Sequence, residues 1–501
     1  MYDIVFCSLP YSDLDHIYSA PAVLKGVVKE NGFSAKTVEF GFNLLRLCDN
    51  DVNVFSVVQG YFISPETNLN DDTRKIIDAF YDSCIDWFIK NPSKYIGISV
   101  LSVFTHKATF ELLKKIHKAN INSKIVLGGR GCKISVYSGV YDAFSISSVE
   151  KLLPYGELIK KKKLCDHVII GDGEDEIINL LTSQDLAQEN VDNISDYFKY
   201  PVPDYDDYEF DQYLFTDKIM LPVTGSKGCV RDCDFCDVKF HFGKYRYRSG
   251  SDIANEMISL SKKYKIYKFQ FTDSLVNGSL RIFKEFLEIL SEYNLKNPDC
   301  KITWNGQYIC REPHQVPKGI YKLIADSGGH GLSIGAESGS NDLLTLMNKK
   351  TSVEALYHEL EEFRKHNLTC VLLTFVGHWG ETWEDFVKQC QMFVKVAPYV
   401  KFGTVSALML GHPMMILEGA PAAAGKENNM IFSDIDKTTI WYNKNNPSNT
   451  YKERVYRRLI VEEICKKLNI PTINDLEYFN HINSTLKVNG DKINEFYLNV
   501  G

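Results

Sequence analysis

Short apolar runs of strand length alternate with stretches of helical period along most of the chain, and the rhythm changes twice. Residues 3–9, 34–40, 95–100, 124–129 and 166–171 are the first set of runs. Between them lie helical patterns at 20–31 and 105–118 and a polar, helix-rich insertion. Apolar runs alternating with amphipathic helices predict a parallel, doubly wound α/β sheet with both faces covered. Residues 185–217 are acidic and tyrosine-rich, with Pro201-Val-Pro203 and Asp204-Tyr-Asp-Asp-Tyr-Glu209, and hold no period, so they are expected to be a linker. The alternation then resumes with strand-like runs at 219–223, 268–273, 302–306, 331–337, 370–376 and 400–407. Six strand–helix units predict a partial barrel, short of the closed eight, whose chemistry sits on loops at the carboxyl ends of its strands. Beyond 415 the chain turns Gly/Ala-rich, then Asn-rich, and two amphipathic stretches at 451–468 and 475–486 predict a small helical cap. The expected organisation is therefore a Rossmann-like domain over 1–184, a linker over 185–217, a barrel over 218–414 and a helical region over 415–501.

Composition narrows this picture modestly. A chain of 501 residues is too long for one ordinary core, and 44% hydrophobic content suits a globular protein. A net charge of −7 argues against a general nucleic-acid surface, and the run Lys160 to Lys163 reads as a solvated loop. The chain shows no basic segment leading into an apolar stretch at its start and no run of about 18 apolar residues, so a soluble cytoplasmic protein with no membrane partner is expected. Of the 13 cysteines, ten are scattered singly, which fits a reducing compartment. Among these, Cys310 ends a predicted strand and is a candidate second functional thiol.

The other three cysteines change the picture most. Cys229, Cys233 and Cys236 stand at CxxxCxxC spacing in Gly225-Ser-Lys-Gly-Cys-Val-Arg-Asp-Cys-Asp-Phe-Cys236, on the loop after the first barrel strand. Three thiolates this close can hold three irons of a cubane cluster and leave the fourth open to another ligand. The same three could instead hold zinc, with His241 as the fourth ligand.

With Phe235 before its last cysteine, this motif resembles the signature of the radical S-adenosylmethionine superfamily. The resemblance implies a 4Fe-4S cluster on Cys229, Cys233 and Cys236. It also implies S-adenosylmethionine chelated to the open iron, and reductive cleavage to a deoxyadenosyl radical, with Phe235 near the adenine. Gly335-Ala-Glu-Ser-Gly-Ser340 and Leu346-Met-Asn-Lys349 resemble the family's Glu-Ser motif and downstream Asn-Lys, which would put Glu337 and Ser338 beside the S-adenosylmethionine. Ser338 or Ser340 would equally serve as a helix N-cap. Where many relatives carry Gly-Gly-Glu after the second strand this chain has Asp273 and Ser274, expected to take over the methionine amine or to form a plain turn. Gln307 and Arg311, after the third strand, could reach the carboxylate, the arginine through its fork. Gly377-His-Trp-Gly-Glu381-Thr resembles the family's Gly-x-Pro-Gly-Glu-Thr turn. There His378 either meets substrate or is a satisfied turn histidine.

In the first domain, Gly97-Ile-Ser99, Gly128-Gly129 and Gly171-Asp-Gly173-Glu174 resemble the cobalamin-binding domain that precedes the barrel in one branch of this superfamily. Ser99, Gly128, Gly129, Gly171, Gly173 and Glu174 would then cradle the cofactor. No Asp-x-His-x-x-Gly follows the first strand, and His16 lies in the wrong context for an axial ligand. The branch implies cobalamin-dependent methyl transfer to an unactivated centre of a small-molecule or peptide substrate, with a flavodoxin- or ferredoxin-type electron donor. Two readings stand beside it: a cobalamin-independent radical enzyme with a vestigial first domain, and a non-catalytic iron-sulfur redox sensor.

Overall fold

The computed structural model describes residues 1–10, 17–63, 70–135, 153–182, 198, 200–213, 219–400, 402–407, 430–432 and 441–472. His16 and the stretch 475–486 lie outside the described residues. The chain divides into two compact units, 1–195 with 199–222, and 196–198 with 223–501.

The first unit is a five-stranded parallel sheet in the order β2-β1-β3-β4-β5, with β1 Tyr2–Ser8, β2 Ala35–Glu39, β3 Ser93–Ser99, β4 Lys124–Gly128 and β5 His167–Ile169. The five predicted strands all form. Every residue of β1 from Ile4 to Ser8 is buried, as a parallel strand covered on both faces requires. Ile4 and Phe6 pack with Val27 and Val28 of the helix Ser19–Glu30, with Ile177 and Leu180 of the helix Gly173–Leu181, and with Val126 and Ile169. The polar insertion folds as the helices Val52–Ile63 and Asp71–Lys90, the second started by Asn70, whose side chain accepts from the Thr73 N–H. Strand order reverses at β1, so a crevice opens outside the carboxyl ends of β1 and β3, where Ser8 pairs with Ser99.

The expected linker is corrected in part. Residues 200–213 belong to the first unit, because their acids meet partners there. Buried Lys25 donates to Asp204 at 3.0 Å and Asp207 at 2.5 Å, and the Thr37 N–H donates to Asp207 at 2.9 Å. Tyr208 donates to the Tyr18 carbonyl at 2.6 Å, and Tyr213 donates to Glu39. The sequence hid this because charge without period reads as solvated chain.

The second unit carries six parallel strand positions, as predicted. β6 Leu221–Val223, β9 Lys268–Phe271 and β10 Thr303–Asn305 form one sheet, and β11 Gln307–Tyr308, β12 Leu332–Glu337, β13 Cys370–Val376 and β14 Phe402–Ala407 form another. A short antiparallel pair, β7 Ser226–Lys227 with β8 Arg246–Tyr247, brackets the cysteine loop. β10 and β11 are one strand bent at Gly306, where a Cβ would stand 2.6 Å from Val276. Its first half pairs with β9 and its second with β12, which is how one strand serves both sheets. Outer helices start on side-chain caps: Ser249 for Gly250–Tyr264, Ser352 for Val353–Lys365, and a reciprocal Thr382/Asp385 box for Trp383–Val396.

In the C-terminal region the helix expected over 451–468 forms as Tyr451–Lys467, and a strand pair stands where no strand was expected. The pair is antiparallel, β15 Met430–Phe432 with β16 Trp441–Asn443, and the helix Tyr451–Lys467 packs on β13, β14 and the helix Trp383–Val396. That helix therefore extends the outer layer of the barrel. Among the described residues no helix is long and apolar enough to cross a membrane.

Candidate cluster and cofactor sites

The cysteine loop leaves the carboxyl end of β6 through Gly225, and its path is set by buried polar contacts. Asp273, at the end of β9, accepts from the Gly225 N–H at 2.8 Å and the Ser226 hydroxyl at 2.6 Å. Burial pushes its pKa up to about 7, against those hydrogen bonds and the pull of Arg248. Both Asp273 oxygens thus brace the entry to the loop. Gly228, at φ +80°, turns the chain where a Cβ would stand 2.8 Å from the Lys244 carbonyl. The Arg231 N–H then donates to Cys229 Sγ at 3.3 Å, and the Cys236 N–H donates to the Cys233 carbonyl at 3.1 Å.

Two further segments hold the loop from outside. The Asp234 N–H donates to the Met347 carbonyl at 3.1 Å, and Asn348 Nδ2 donates to the Asp232 carbonyl at 2.8 Å. Phe235 packs edge-on against Phe375 of β13, with ring centroids 4.8 Å apart. Cys233 is buried, while Cys229 and Cys236 are half-buried. Burial raises the Cys233 thiol to about 12, although Lys349 pulls the other way, and burial also raises Cys236. A bound metal centre reverses this tendency, because a coordinating thiol is deprotonated outright.

The donor set fits a cluster better than a single ion. Zinc draws every sulfur to about 2.3 Å from one centre, whereas a cubane places each sulfur on a separate iron. His241 faces Asp237 at 3.2 Å.

Beside the loop, β12 ends in an irregular turn. Its pairing with β13 shifts register between Gly335 and Glu337, and Glu337 holds φ +60°. A left-handed, non-glycine residue costs about 1–3 kcal/mol and persists only where surroundings enforce it. Here the Glu337 carbonyl accepts from Gln389 at 3.4 Å, and Gln389 in turn accepts from the Gly339 N–H at 2.6 Å. The Glu337 carboxylate accepts from Lys349 Nζ at 2.5 Å, each side chain only about a tenth exposed. Burial works against the Lys349 charge, but Glu337 and Cys233 outweigh it and raise its pKa. Gly335 makes room for the pair, since a Cβ there would stand 2.7 Å from Glu337 Oε1 and 2.9 Å from Lys349 Nζ. Ser338 is buried and accepts from the Ser340 N–H at 3.1 Å, and Ser340 donates to Asp385 at 2.5 Å.

The other residues singled out in the barrel divide between open and committed groups. Gln307 is exposed on β11, and Ser274 is half-exposed. Arg311 Nη2 donates to the carbonyls of Asn277 and Gly278 at 2.8 Å each, while its Nε is buried with no hydrogen-bond partner among the described residues. Cys310 is buried next to β11, and burial drives its thiol well above the ordinary range. His378 is fully buried in the turn after β13. Sequence reasoning missed the Lys349–Glu337 pair, although it marked both motifs, because twelve residues of separation hides a contact that only the fold makes.

In the first unit, Ser99, Gly128 and Ile169 end adjacent strands in register. A Cβ at Gly128 would meet nothing nearer than the Ile169 carbonyl at 4.0 Å, so this strand end is open. Gly129 is different: at φ +105° its Cβ would stand 2.6 Å from the Val100 carbonyl, so the turn itself demands glycine. Gly171, at φ +94°, is exposed, and Gly173 and Glu174 open the helix Gly173–Leu181. Leu101, Phe104 and Ile170, which follow the ends of β3 and β5, are each more than a third exposed. A side-chain-free edge flanked by exposed apolar groups fits a flat, bulky cofactor.

Known proteins resemble this chain in sequence and in fold. Residues 223–392 match the Radical SAM superfamily. Anaerobic magnesium-protoporphyrin IX monomethyl ester cyclase of Rubrivivax gelatinosus is 21% identical over 288 residues, 52% of this chain and 48% of that protein. Bacteriochlorophyllide d C-12(1)-methyltransferase of Chlorobaculum tepidum is 30% identical over 133 residues, 26% of this chain and 27% of that protein. The chain thus spans about half or less of the length of these curated relatives. The radical S-adenosylmethionine methyltransferase TsrM of Kitasatospora setae, solved with cobalamin and a 4Fe-4S cluster bound, shares the fold. Its TM-score is 0.59 at 16% identity, over 82% of this chain and 76% of that one.

Proposed function

We propose that this chain is a cobalamin-dependent methyltransferase acting on an unactivated centre of a small-molecule or peptide substrate, a reading supported by the match of residues 223–392 to the Radical SAM superfamily and by the fold shared with TsrM. The observation that carries this reading is that the cysteine loop is held by the residues leading into the Glu337–Lys349 pair, with the Asp234 N–H on the Met347 carbonyl and Asn348 on the Asp232 carbonyl. When bound, the cluster supplies the electron that breaks a sulfonium carbon–sulfur bond of S-adenosylmethionine, and cobalamin supplies a methyl relay.

This chain's own residues then have distinct tasks. Cys229, Cys233 and Cys236 hold the cluster. Glu337, with Ser338, Ser274 and Gln307, lines the S-adenosylmethionine site, and Phe235 supplies an aromatic face for its adenine. Asp273 braces the entry to the cysteine loop, since both its oxygens are engaged there, and Arg311, held to two backbone carbonyls through Nη2, keeps the rest of its fork for the S-adenosylmethionine carboxylate. Ser99, Gly128, Gly171, Gly173 and Glu174 border the cobalamin edge, and Gly129 shapes it. The proposed domain division keeps a Rossmann-like domain before a barrel, with 200–213 assigned to the former. An electron donor of flavodoxin or ferredoxin type completes the reaction. Methyl transfer is the reading supported by the names of the Chlorobaculum relative and TsrM, while the Rubrivivax relative, a cyclase by name, keeps cyclisation as the second reading.

Two measurements test this. Anaerobically reconstituted protein given a strong reductant and S-adenosylmethionine is expected to release deoxyadenosine. Protein incubated with hydroxocobalamin is expected to carry the corrin spectrum through gel filtration. Gly128→Val, at an open position, is expected to fold and keep iron yet elute free of corrin. Parent protein that elutes without corrin overturns the methyl relay, and parent protein that forms no deoxyadenosine overturns the radical chemistry.

A further inference from the structure

The turn after β13 is tied to more of the protein than a strand–helix connection requires. Gly377 sits at φ +87°, and a Cβ there would stand 2.2 Å from the Arg454 stem, so the helix Tyr451–Lys467 lies directly against it. Asn449, fully buried just before that helix, donates from Nδ2 to the carbonyls of Gly377 at 3.2 Å and His378 at 2.7 Å. Glu381 Oε2 accepts from the Gly377 N–H at 2.8 Å and from Arg457 Nη1 at 2.6 Å. Asn446 adds bonds from Nδ2 to the carbonyls of Trp379 at 3.3 Å and Glu381 at 3.2 Å. A buried turn held by three side chains of another segment is a rigid mount.

What this mount presents is His378. Its ring is fully buried and lies 4.0 Å from the Trp379 ring, centroid to centroid. Nδ1 accepts from the Gly380 N–H at 3.2 Å, so the ring proton sits on Nε2. Nε2 therefore donates to the Asp234 carboxylate, with oxygens at 3.2 and 3.3 Å. Asp234 stands between Cys233 and Cys236, next to Phe235. Its backbone N–H is already held by Met347, so the histidine supplies a second, side-chain anchor to the same residue. Two anchors fix the rotation of a short loop segment where one would leave it free to swivel.

We propose that His378 is a positioning residue for the cluster: mounted by the C-terminal helix, it fixes Asp234 and thereby orients the Cys233–Cys236 segment so that the open iron and Phe235 face S-adenosylmethionine together. This rests on the reading of the barrel as a radical S-adenosylmethionine site. The role is separate from cluster retention, because the three thiols hold the irons whether or not the segment swivels.

The test compares parent protein, His378→Ala, His378→Gln, Asp234→Ala and the double alanine variant, all reconstituted in the full chain. Three quantities are read: iron and sulfide per chain, S-adenosylmethionine affinity, and the electron paramagnetic resonance spectrum of the reduced cluster with and without S-adenosylmethionine. His378→Ala is expected to keep its iron and sulfide, lose about tenfold in affinity, and lose most of the spectral change on adding the ligand. His378→Gln, whose amide can donate in place of Nε2–H, is expected to recover much of both. Asp234→Ala, which leaves the turn and its mount untouched, is expected to match His378→Ala, and the double variant to be no worse than either, as residues acting through one contact are non-additive. Additive losses, or an Asp234→Ala protein that binds S-adenosylmethionine as the parent does, overturn the proposal. If His378→Ala does not fold, Asp234→Ala alone decides. A parent that assembles the cluster but shows no spectral response to S-adenosylmethionine overturns the functional reading, and this inference with it.

Discussion

Replacing any one of Cys229, Cys233 or Cys236 by alanine is expected to abolish cluster binding. Parent protein reconstituted anaerobically should hold about four irons and four sulfides per chain and absorb broadly in the blue, and each single variant should fall close to zero on both counts. The effect is all-or-none because the irons not held by protein thiols are left to small ligands, and a two-cysteine corner cannot retain a cubane through gel filtration. Cys310→Ala is the control. That thiol is buried beside β11, with its pKa driven up by burial, so it is a packing group and its loss should leave iron content unchanged. Stoichiometric zinc without labile sulfide in the parent would overturn the cluster assignment, and loss of iron in Cys310→Ala would place a ligand where this structure has none.

The strand–helix architecture was legible because it depends on local pattern. Strand β1 is covered on both faces and reads as a continuous apolar run over Ile4–Cys7, while β12 alternates buried with half-buried positions and reads by its period of two. The cysteine motif was legible because its ligands are neighbours in sequence. What the sequence concealed is long-range and polar. Asp204 and Asp207 looked like solvated linker, yet they receive Lys25 from about 180 residues away, and a charge pattern carries no mark of a distant partner. Asp273 looked like a ligand for an ammonium group because it ends a strand at the right place, but both its oxygens accept from the cysteine-loop entry. Arg311 gives Nη2 to two backbone carbonyls that lie 34 and 33 residues away in sequence and leaves Nε unpaired among the described residues. The Gly377–Glu381 turn was recognisable as a motif, whereas its attachment to Asn449, Arg454 and Arg457 depends on where the C-terminal helix docks.

Lys349→Met is expected to destabilise the barrel by about 3 kcal/mol, the low end of the range for removing one partner of a buried ion pair. The Glu337 carboxylate would then lie about nine-tenths buried without its 2.5 Å partner. In a unit of this size the loss should lower Tm by roughly 6 °C. Glu337→Gln is expected to destabilise similarly, because it leaves the Lys349 ammonium buried with no carboxylate beside it. The double variant Glu337→Gln/Lys349→Met should melt close to the parent, since neither charge then remains to be compensated, and a coupling of this sign is what a double-mutant cycle isolates. S-adenosylmethionine affinity should follow a different order. If the Glu337 carboxylate lines that site, binding weakens in Glu337→Gln and stays weak in the double variant although stability has returned, while iron content is unchanged throughout. The left-handed backbone at Glu337 favours this outcome, because the fold accepts strain there that a pair serving stability alone would have no need to hold. A double variant that regains both stability and affinity would make the pair purely structural and move the ligand site elsewhere on the barrel.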